Sequence, residues 1–169
     1  MSDTENTKLS LYEKKSPAVV GTNGQFPDAM SDAVCKKLIR TAMEYRRKAY
    51  APYSGFSVGA ALLTADNEVF GGCNIENAAY SPTNCAERTA FFKAVSEGKR
   101  KFSGIAIVGG KGEEIKDFCA PCGVCRQVMM EFCDPKTFLI VLARSEQDYM
   151  IYTLEELMPF GFSGKNLEE

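Results

Sequence analysis

The sequence contains no histidine. Histidine is the commonest metal ligand in proteins and the side chain that most readily changes its charge near neutral pH. Any catalysis by this chain must therefore use carboxylates, thiolates or a bound metal.

Long apolar runs are also missing. No uninterrupted apolar segment approaches the roughly 20 residues that a bilayer crossing needs. The stretch from Met1 to Gly24 is rich in Ser, Thr, Asn, Lys and Glu, and it has no apolar core typical of a signal peptide. We therefore expect a cytoplasmic protein with no membrane partner.

The sequence has no concentrated positive charge. Lys and Arg are scattered along the chain and the formal net charge is -2, so there is no basic stripe that could neutralise a phosphate backbone. We therefore expect no nucleic-acid partner.

The length of the chain limits the number of domains. A chain of 169 residues with 45% hydrophobic residues can form one core but hardly two. We expect a flexible tail over residues 1–27, which show no hydrophobic period, and a single domain over residues 28–169.

Apolar periodicity predicts the secondary structure. Helical spacing after Ser31, a candidate N-cap, predicts a first helix, and alternation then predicts a β-hairpin from Phe56 to Cys73. Later elements follow from the same signals: a helix over about residues 84–98, a strand over 102–108, a helix beginning near 121, strands over 137–143 and 149–153, and a helical turn over 154–158. We predict an α/β fold with three layers, in which a mixed β-sheet of about five strands carries helices on both faces.

Seven cysteines occur in a chain without a secretory signal, which indicates free thiols rather than a disulfide framework. Cys85 lies where the second helix is predicted to begin, and Cys122 and Cys125 lie where the third begins. The positive end of a helix dipole favours the thiolate, which is the form that binds metals. These three cysteines are therefore the candidate metal ligands.

Three thiolates point to a catalytic zinc ion rather than a structural one. With no histidine available, the fourth tetrahedral position falls to water. Three thiolates leave the site negative, and helix N-termini together with hydrogen bonds from Arg88 would offset that charge. Glu87 follows Cys85 by two residues on the same predicted turn, so its carboxylate can reach a metal-bound water without binding the metal, which makes it the candidate proton carrier.

Other interpretations of these residues stay open at this point. Asn84 to Glu87 also fits a capping box, and the Cys122–Cys125 pair could be a redox pair. A structural zinc ion completed by Cys119 or Cys73 is the strongest rival.

Cys119 also forms a second CxxC pair with Cys122, but Pro121 should turn it away from the helix face that Cys122 and Cys125 share. We assign no role to Cys35 and Cys133.

Three segments in this order resemble the cytidine deaminase family, specifically its short-chain, homotetrameric branch with three cysteine ligands. They are "YSGFSVGAALL" from Tyr53, "GGCNIENAAYSPTNCAERTAFFKAV" from Gly71 and "APCGVCRQVMMEF" from Ala120. The resemblance covers about residues 31–165. It implies one zinc ion per subunit, with Cys85, Cys122 and Cys125 as ligands and Glu87 as the catalytic acid–base, the same four residues that their positions on the predicted helices indicate.

The resemblance also implies an activity. It is the hydrolytic deamination of cytidine and deoxycytidine to uridine and deoxyuridine with release of ammonia, in pyrimidine salvage. A zinc-bound hydroxide would attack C4 while Glu87 carries the proton.

Further residues match substrate-binding positions of the family. Asn74 and Glu76 would hydrogen-bond the ribose, Phe56 would line the base pocket, and the Ala86 backbone would contact the pyrimidine edge. Tyr80 and Phe162 would reach a neighbouring subunit's site, and Arg88 would compensate the thiolate charge. From the residues alone, Asn74 and Glu76 resemble a turn pair, and Phe56 resembles a core aromatic.

Competing functions remain. A deaminase for an antibiotic nucleoside could share the cysteine motifs, although the "NIEN" segment argues against it. A polynucleotide deaminase fits the net charge poorly. A non-catalytic zinc module and a thiol–disulfide protein are the alternatives from other classes.

Overall fold

The computed structural model describes residues 30–167. The tail expected over residues 1–27 lies outside the described residues. The first helix, α1, spans Asp32–Arg46, and the Ser31 side chain accepts a hydrogen bond from the backbone N–H of Val34. Ser31 is thus the N-cap that the sequence predicts.

Five strands form one sheet, as predicted. Their bounds are β1 Phe56–Thr64, β2 Val69–Cys73, β3 Phe102–Lys111, β4 Leu139–Ser145 and β5 Asp148–Thr153. The order across the sheet is β2-β1-β3-β4-β5. Strands β3 and β4 run parallel, whereas the other neighbouring pairs are antiparallel, so the sheet is mixed.

Three further α-helices follow: α2 over Ala86–Ser96, α3 over Gly123–Phe132 and the short α4 over Leu154–Leu157. Both α2 and α3 begin about two residues later than the sequence predicts. The backbone of Asn84 exchanges two hydrogen bonds with Ile75, which holds Asn84 extended and leaves Cys85 as the N-cap. In α3 the N-cap is Cys122. None of the helices within residues 30–167 is long and apolar enough to cross a membrane.

The sheet is buried between two layers of helices. Along β1, Ala60 and Leu62 belong to the core that contains α2 and α3, whereas Ala61 and Leu63 belong to the core that contains α1. Successive side chains of a strand point to opposite faces, so the unbroken burial of β1 from residue 59 to residue 64 shows that this part of the sheet is covered on both sides. The three-layer prediction is confirmed.

Gly72 of β2 determines how closely α2 approaches the sheet. A Cβ atom at this position would lie 2.4 Å from the carbonyl oxygen of Ala86 and 2.5 Å from the amide nitrogen of Ala90. The two backbones are therefore in direct contact, which places the first turn of α2 beside the end of β2.

Arg46 is a buried cation at the end of α1 that the sequence analysis did not identify. Its guanidinium donates to the carbonyl oxygens of Ser57 at 3.2 Å, Gly110 at 3.0 Å and Gly112 at 2.5 Å. These bonds join α1 to β1, to the end of β3 and to the loop that follows β3. Carbonyl acceptors satisfy the charged donors that burial has removed from water.

Candidate active site

The three predicted ligands meet where α2 and α3 begin. The Sγ atoms of Cys85, Cys122 and Cys125 all lie within 4.8 Å of one another. The Cys85 and Cys122 sulfurs are 3.8 Å apart. Cys85 and Cys122 are the N-caps of their helices, so the positive ends of two helix dipoles converge on the cluster.

The geometry of the cluster fits zinc. Tetrahedral zinc with Zn–S bonds of about 2.3 Å places two sulfur ligands about 3.8 Å apart, which is the separation between Cys85 and Cys122. All seven cysteines are free, so these sulfurs are available. Among residues 30–167, no fourth His, Cys, Asp or Glu joins the group. The donor set is that of a site with one position left for a non-protein ligand.

Hydrogen bonds between the thiols distribute the charge of the cluster. The Cys125 thiol donates to Cys85, and together with the nearby Arg88 it lowers the pKa of Cys85 to about 5. The hydrogen bond that Cys125 donates to Cys85, together with the burial of the thiol, raises the pKa of Cys125. The thiols therefore titrate as a coupled group whose first ionisation occurs at a lower pH than that of an isolated thiol.

Arg88 lies against the thiols. Its Nη2 atom donates to the carbonyl oxygen of Thr83 at 3.0 Å and lies 3.8 Å from the Cys85 sulfur. Its Nε atom is buried without a hydrogen-bond partner in the described part of the chain. Within the described residues, the guanidinium is thus bonded to one carbonyl oxygen and one sulfur and forms no ion pair with a carboxylate.

Glu87 is buried in the first turn of α2, with 4% of its surface exposed. Burial raises the pKa of Glu87 to about 7, and the negative charge of Cys85 adds to the effect. A carboxyl group with such a pKa can both accept and release a proton near neutral pH.

The capping-box interpretation of Asn84 and Glu87 is wrong. The N-cap is Cys85, and no side chain caps this helix. The Asn84 side chain instead donates to Thr89 Oγ1 at 3.1 Å. The Glu87 carboxyl group therefore takes no part in a capping box with Asn84.

Asn74 is held against the start of β1. Its Oδ1 atom accepts from the Val58 N–H at 2.8 Å and its Nδ2 atom donates to the Phe56 carbonyl oxygen at 2.8 Å. The next residue, Ile75, pairs with Asn84 beside the cysteine cluster. The segment from Asn74 therefore connects β1 to the N-terminus of α2.

Glu76 accepts hydrogen bonds from the turn that precedes β1. Its Oε2 atom accepts from the backbone N–H groups of Tyr53 at 2.8 Å and Ser54 at 3.2 Å, and its Oε1 atom accepts from the Ser54 hydroxyl. These bonds, with that from the Ser54 hydroxyl largest, lower the pKa of Glu76. The Glu76 side chain is therefore an anion at neutral pH.

Phe56 and Cys119 both lie against Gly109 of β3. Phe56 is 36% exposed, which contradicts its interpretation as a core aromatic. A Cβ atom on Gly109 would lie 2.7 Å from the Cys119 sulfur and 3.1 Å from Phe56 Cε1, so both side chains lie directly over Gly109. Cys119 lies outside the three-sulfur cluster, and burial raises its pKa to about 12.

Ala86 is buried as the first residue of α2, whereas Tyr80 and Phe162 extend into solvent. Tyr80 is 76% exposed and has a φ of 57°, and its ring centroid lies 6.4 Å from that of Tyr53. Phe162 is 55% exposed, and Gln127 of α3 donates to its carbonyl oxygen at 3.0 Å. Neither aromatic side chain is buried within the described residues of this chain.

Two hydroxyl groups that the sequence analysis missed connect these residues. Ser54 lies between Glu76 and Phe56, and Thr89 Oγ1 lies within hydrogen-bond distance of the carbonyl oxygens of Cys73 and Cys85. The only sequence signal for Thr89 is its position four residues after Cys85, where a hydroxyl can reach back along a helix.

Comparisons with known proteins agree with this arrangement. Residues 33–141 match the family model described as the cytidine and deoxycytidylate deaminase zinc-binding region. A cytidine deaminase of Sporosarcina psychrophila is 48% identical over 132 residues, which cover 78% of this chain and 93% of that protein. A crystal structure of cytidine deaminase from Burkholderia pseudomallei has a TM-score of 0.68 and 49% identity, and the match covers 75% of this chain and 97% of that one.

A less similar relative carries another name. Blasticidin-S deaminase of Bacillus cereus is 30% identical over 110 residues, which cover 63% of this chain and 76% of that protein. The family model matches more than half of the 169 residues, and it includes all three clustered cysteines. The chain therefore belongs to the cytidine and deoxycytidylate deaminase family.

Proposed function

We propose that this protein is a zinc-dependent deaminase that converts cytidine and deoxycytidine to uridine and deoxyuridine with release of ammonia. The observation that carries the proposal is the three-cysteine cluster at two helix N-termini, in which Cys85 shares the first turn of α2 with the buried Glu87. Cys85, Cys122 and Cys125 would hold the zinc ion, one per subunit. When bound, zinc supplies a Lewis acid that makes water a nucleophile at neutral pH.

Glu87 carries the protons of the reaction. Deamination consumes one water molecule and releases one ammonia molecule, so both protons of the water must leave the attacking oxygen: the first goes to the pyrimidine N3, where it stays in the product, and the second goes to the departing amine. A carboxyl group with a pKa near neutrality can accept a proton and deliver it within one turnover. Burial keeps bulk water from competing for that proton.

The nucleoside would lie between α2 and the start of β1. Phe56 would line the base pocket and the Ala86 backbone would contact the pyrimidine edge. Asn74 would hydrogen-bond the ribose, and the anionic Glu76 would accept a hydrogen bond from the 3'-hydroxyl. The hydrogen bonds that fix both side chains to the β1 region support this role, since pre-oriented groups bind a ligand at lower entropic cost.

The proposed assembly is a homotetramer whose sites lie at subunit interfaces, with Tyr80 and Phe162 contacting the site of a neighbour. The solvent exposure of both aromatic side chains supports this arrangement.

We place the enzyme in the cytoplasm, in pyrimidine salvage, with residues 28–169 as one domain and no nucleic-acid partner. Seven free cysteines suit a reducing compartment.

The activity can be tested by measuring ammonia release from cytidine, deoxycytidine, cytosine, CMP and blasticidin S, with the zinc content measured in the same sample. We expect turnover of the two pyrimidine nucleosides, with one zinc ion per chain. Turnover of blasticidin S in preference to cytidine would instead support the antibiotic-nucleoside alternative that the Bacillus cereus relative raises.

Replacing Glu87 by glutamine tests the proton carrier. We expect kcat for cytidine to fall by about 100- to 10,000-fold, the usual contribution of general acid–base catalysis, while the zinc content stays unchanged. Glu97→Gln, an exposed position at the end of α2, is the matched control and should retain wild-type turnover. Near-parental turnover of Glu87→Gln would remove Glu87 from this role.

A further inference from the structure

Ser54 lies between two residues of the proposed substrate site. Its hydroxyl donates to Oε1 of Glu76 at 2.5 Å and accepts from the backbone N–H of Phe56 at 2.9 Å. One hydroxyl group thereby joins the carboxylate that would contact the ribose to the residue whose ring would line the base pocket.

The other hydrogen bonds of Glu76 all involve its second oxygen. The N–H groups of Tyr53 and Ser54 both donate to Oε2, at 2.8 Å and 3.2 Å. Two bonds to a single oxygen leave the carboxylate plane free to swing about that oxygen. The Ser54 hydroxyl on Oε1 removes this freedom and fixes the plane.

The backbone around Ser54 is itself constrained. Gly55 has a φ of 64°, a left-handed conformation that glycine adopts without strain, and its N–H donates to the Ala51 carbonyl oxygen at 3.1 Å. The hydroxyl therefore projects from a closed turn rather than from an open loop. A carboxylate has about four acceptor positions, of which the turn occupies three, so a further position remains for a ligand hydroxyl.

We infer that Ser54 is a positioning residue for sugar recognition: it orients the Glu76 carboxylate towards the 3'-hydroxyl of the nucleoside and couples that orientation to the Phe56 backbone. This inference rests on the proposed function. Ser54 does not touch the reacting atoms, so its removal should weaken nucleoside binding without slowing the chemical step.

The test uses substrates with and without the 3'-hydroxyl. For Ser54→Ala we expect the KM for cytidine to rise about tenfold, the loss typical of one hydrogen bond to a charged group, with kcat within about threefold of wild type. With 3'-deoxycytidine, Ser54→Ala and wild type should agree within about twofold, because the hydroxyl that Glu76 would bind is absent. Ser54→Thr, which keeps a hydroxyl, should restore the KM, and Ser96→Ala, on an exposed surface of α2, should match wild type.

A second measurement needs only cytidine. In a Glu76→Ala background, adding Ser54→Ala should change KM by less than about twofold, because the group it orients has been removed. Equal losses by Ser54→Ala on cytidine and 3'-deoxycytidine, or additive losses with Glu76→Ala, would overturn the role of Ser54. Wild-type ammonia release from cytidine, measured alongside, tests the proposed function separately.

Discussion

Arg88 is the positively charged side chain that offsets the negative charge of the cysteine cluster. Three thiolates and a divalent ion sum to one net negative charge, since -3 and +2 give -1. The hydrogen bond from Cys125 that stabilises the Cys85 thiolate disappears once Cys125 has itself lost its proton to bind a metal. The Arg88 guanidinium, 3.8 Å from the Cys85 sulfur, persists in that state. Apart from the ligands themselves, we therefore expect Arg88 to be the residue whose replacement weakens zinc binding most.

Replacing Arg88 by methionine should weaken zinc binding by about 10- to 100-fold, the usual effect of losing a hydrogen bond to a metal ligand. Zinc retention can be measured by competition with a chromogenic chelator at several pH values. Since zinc must displace thiol protons, we expect the variant to lose zinc at a higher pH than wild type as the solution is acidified.

The matched control for this substitution is Arg47→Met, because Arg47 is exposed at the end of α1. It should retain zinc as wild type does. Identical chelator competition curves for Arg88→Met and wild type would show that the helix dipoles alone offset the thiolate charge.

Single residues were predictable where the chemistry is local. Cys85 and Glu87 share one turn, and Cys122 and Cys125 share another, so short spacing was enough to group them. Ser54 was not predictable, because its partner Glu76 lies 22 residues away along the chain. The sequence alone carries no signal for a bond of that kind.

Contacts between elements determine the residue at which α2 begins and how closely α2 packs against β2. The apolar periodicity predicts that a helix exists, but its first residue depends on the pairing of Asn84 with Ile75. Its distance from the sheet depends on Gly72, which lets the α2 and β2 backbones touch. Both features orient Cys85 and Glu87, since these residues lie at the end of α2 that this contact holds.

Gly72→Ala should therefore lower the free energy of unfolding by at least about 2 kcal/mol, because its Cβ would overlap backbone atoms that cannot rotate away. Chemical denaturation of the zinc-loaded protein measures this change. We also expect faster zinc release, since the first turn of α2 must shift to accommodate the methyl group.

Gly164→Ala is the matched control, because nothing lies within 4 Å of the Cβ that it would add. Its denaturation midpoint should equal that of wild type. An unchanged midpoint for Gly72→Ala would mean that β2 and α2 can separate without loss, which would contradict the close approach of their backbones.

At the scale of the whole molecule, exposed aromatic side chains are the main unexplained feature of the isolated chain. Tyr80, Phe160 and Phe162 are each more than half exposed. Phe160 also has a φ of 58°, a conformation that is uncommon for a bulky residue. Burial against neighbouring subunits in the proposed tetramer would account for the exposure.

Active sites shared between subunits predict complementation. Glu87→Gln and Phe162→Ala chains should each be weakly active alone. When the two are co-expressed in equal amounts, about one quarter of the sites should combine an intact Glu87 with a neighbour's intact Phe162. We therefore expect the mixture to exceed both parents in cytidine turnover per chain.

Pairing Glu87→Gln with Glu76→Ala provides the control for complementation. Both residues would belong to the same subunit's part of the site, so no mixed site is intact and no rescue should appear. A monomer in sedimentation equilibrium at assay concentration, or rescue in the control pair, would exclude the shared-site assembly.

The sequence by itself determined the elements, the mixed α/β class and the four residues of the proposed reaction centre, because helix periodicity, strand alternation and CxxC spacing are short-range patterns. It also determined that no histidine takes part. Only the tertiary structure decided that Cys119 lies beside Phe56 over Gly109, and that Arg46 binds carbonyl oxygens at the end of β3 and in the loop that follows it. Those outcomes depend on how layers of the fold approach one another, which is set by packing between residues far apart in the chain.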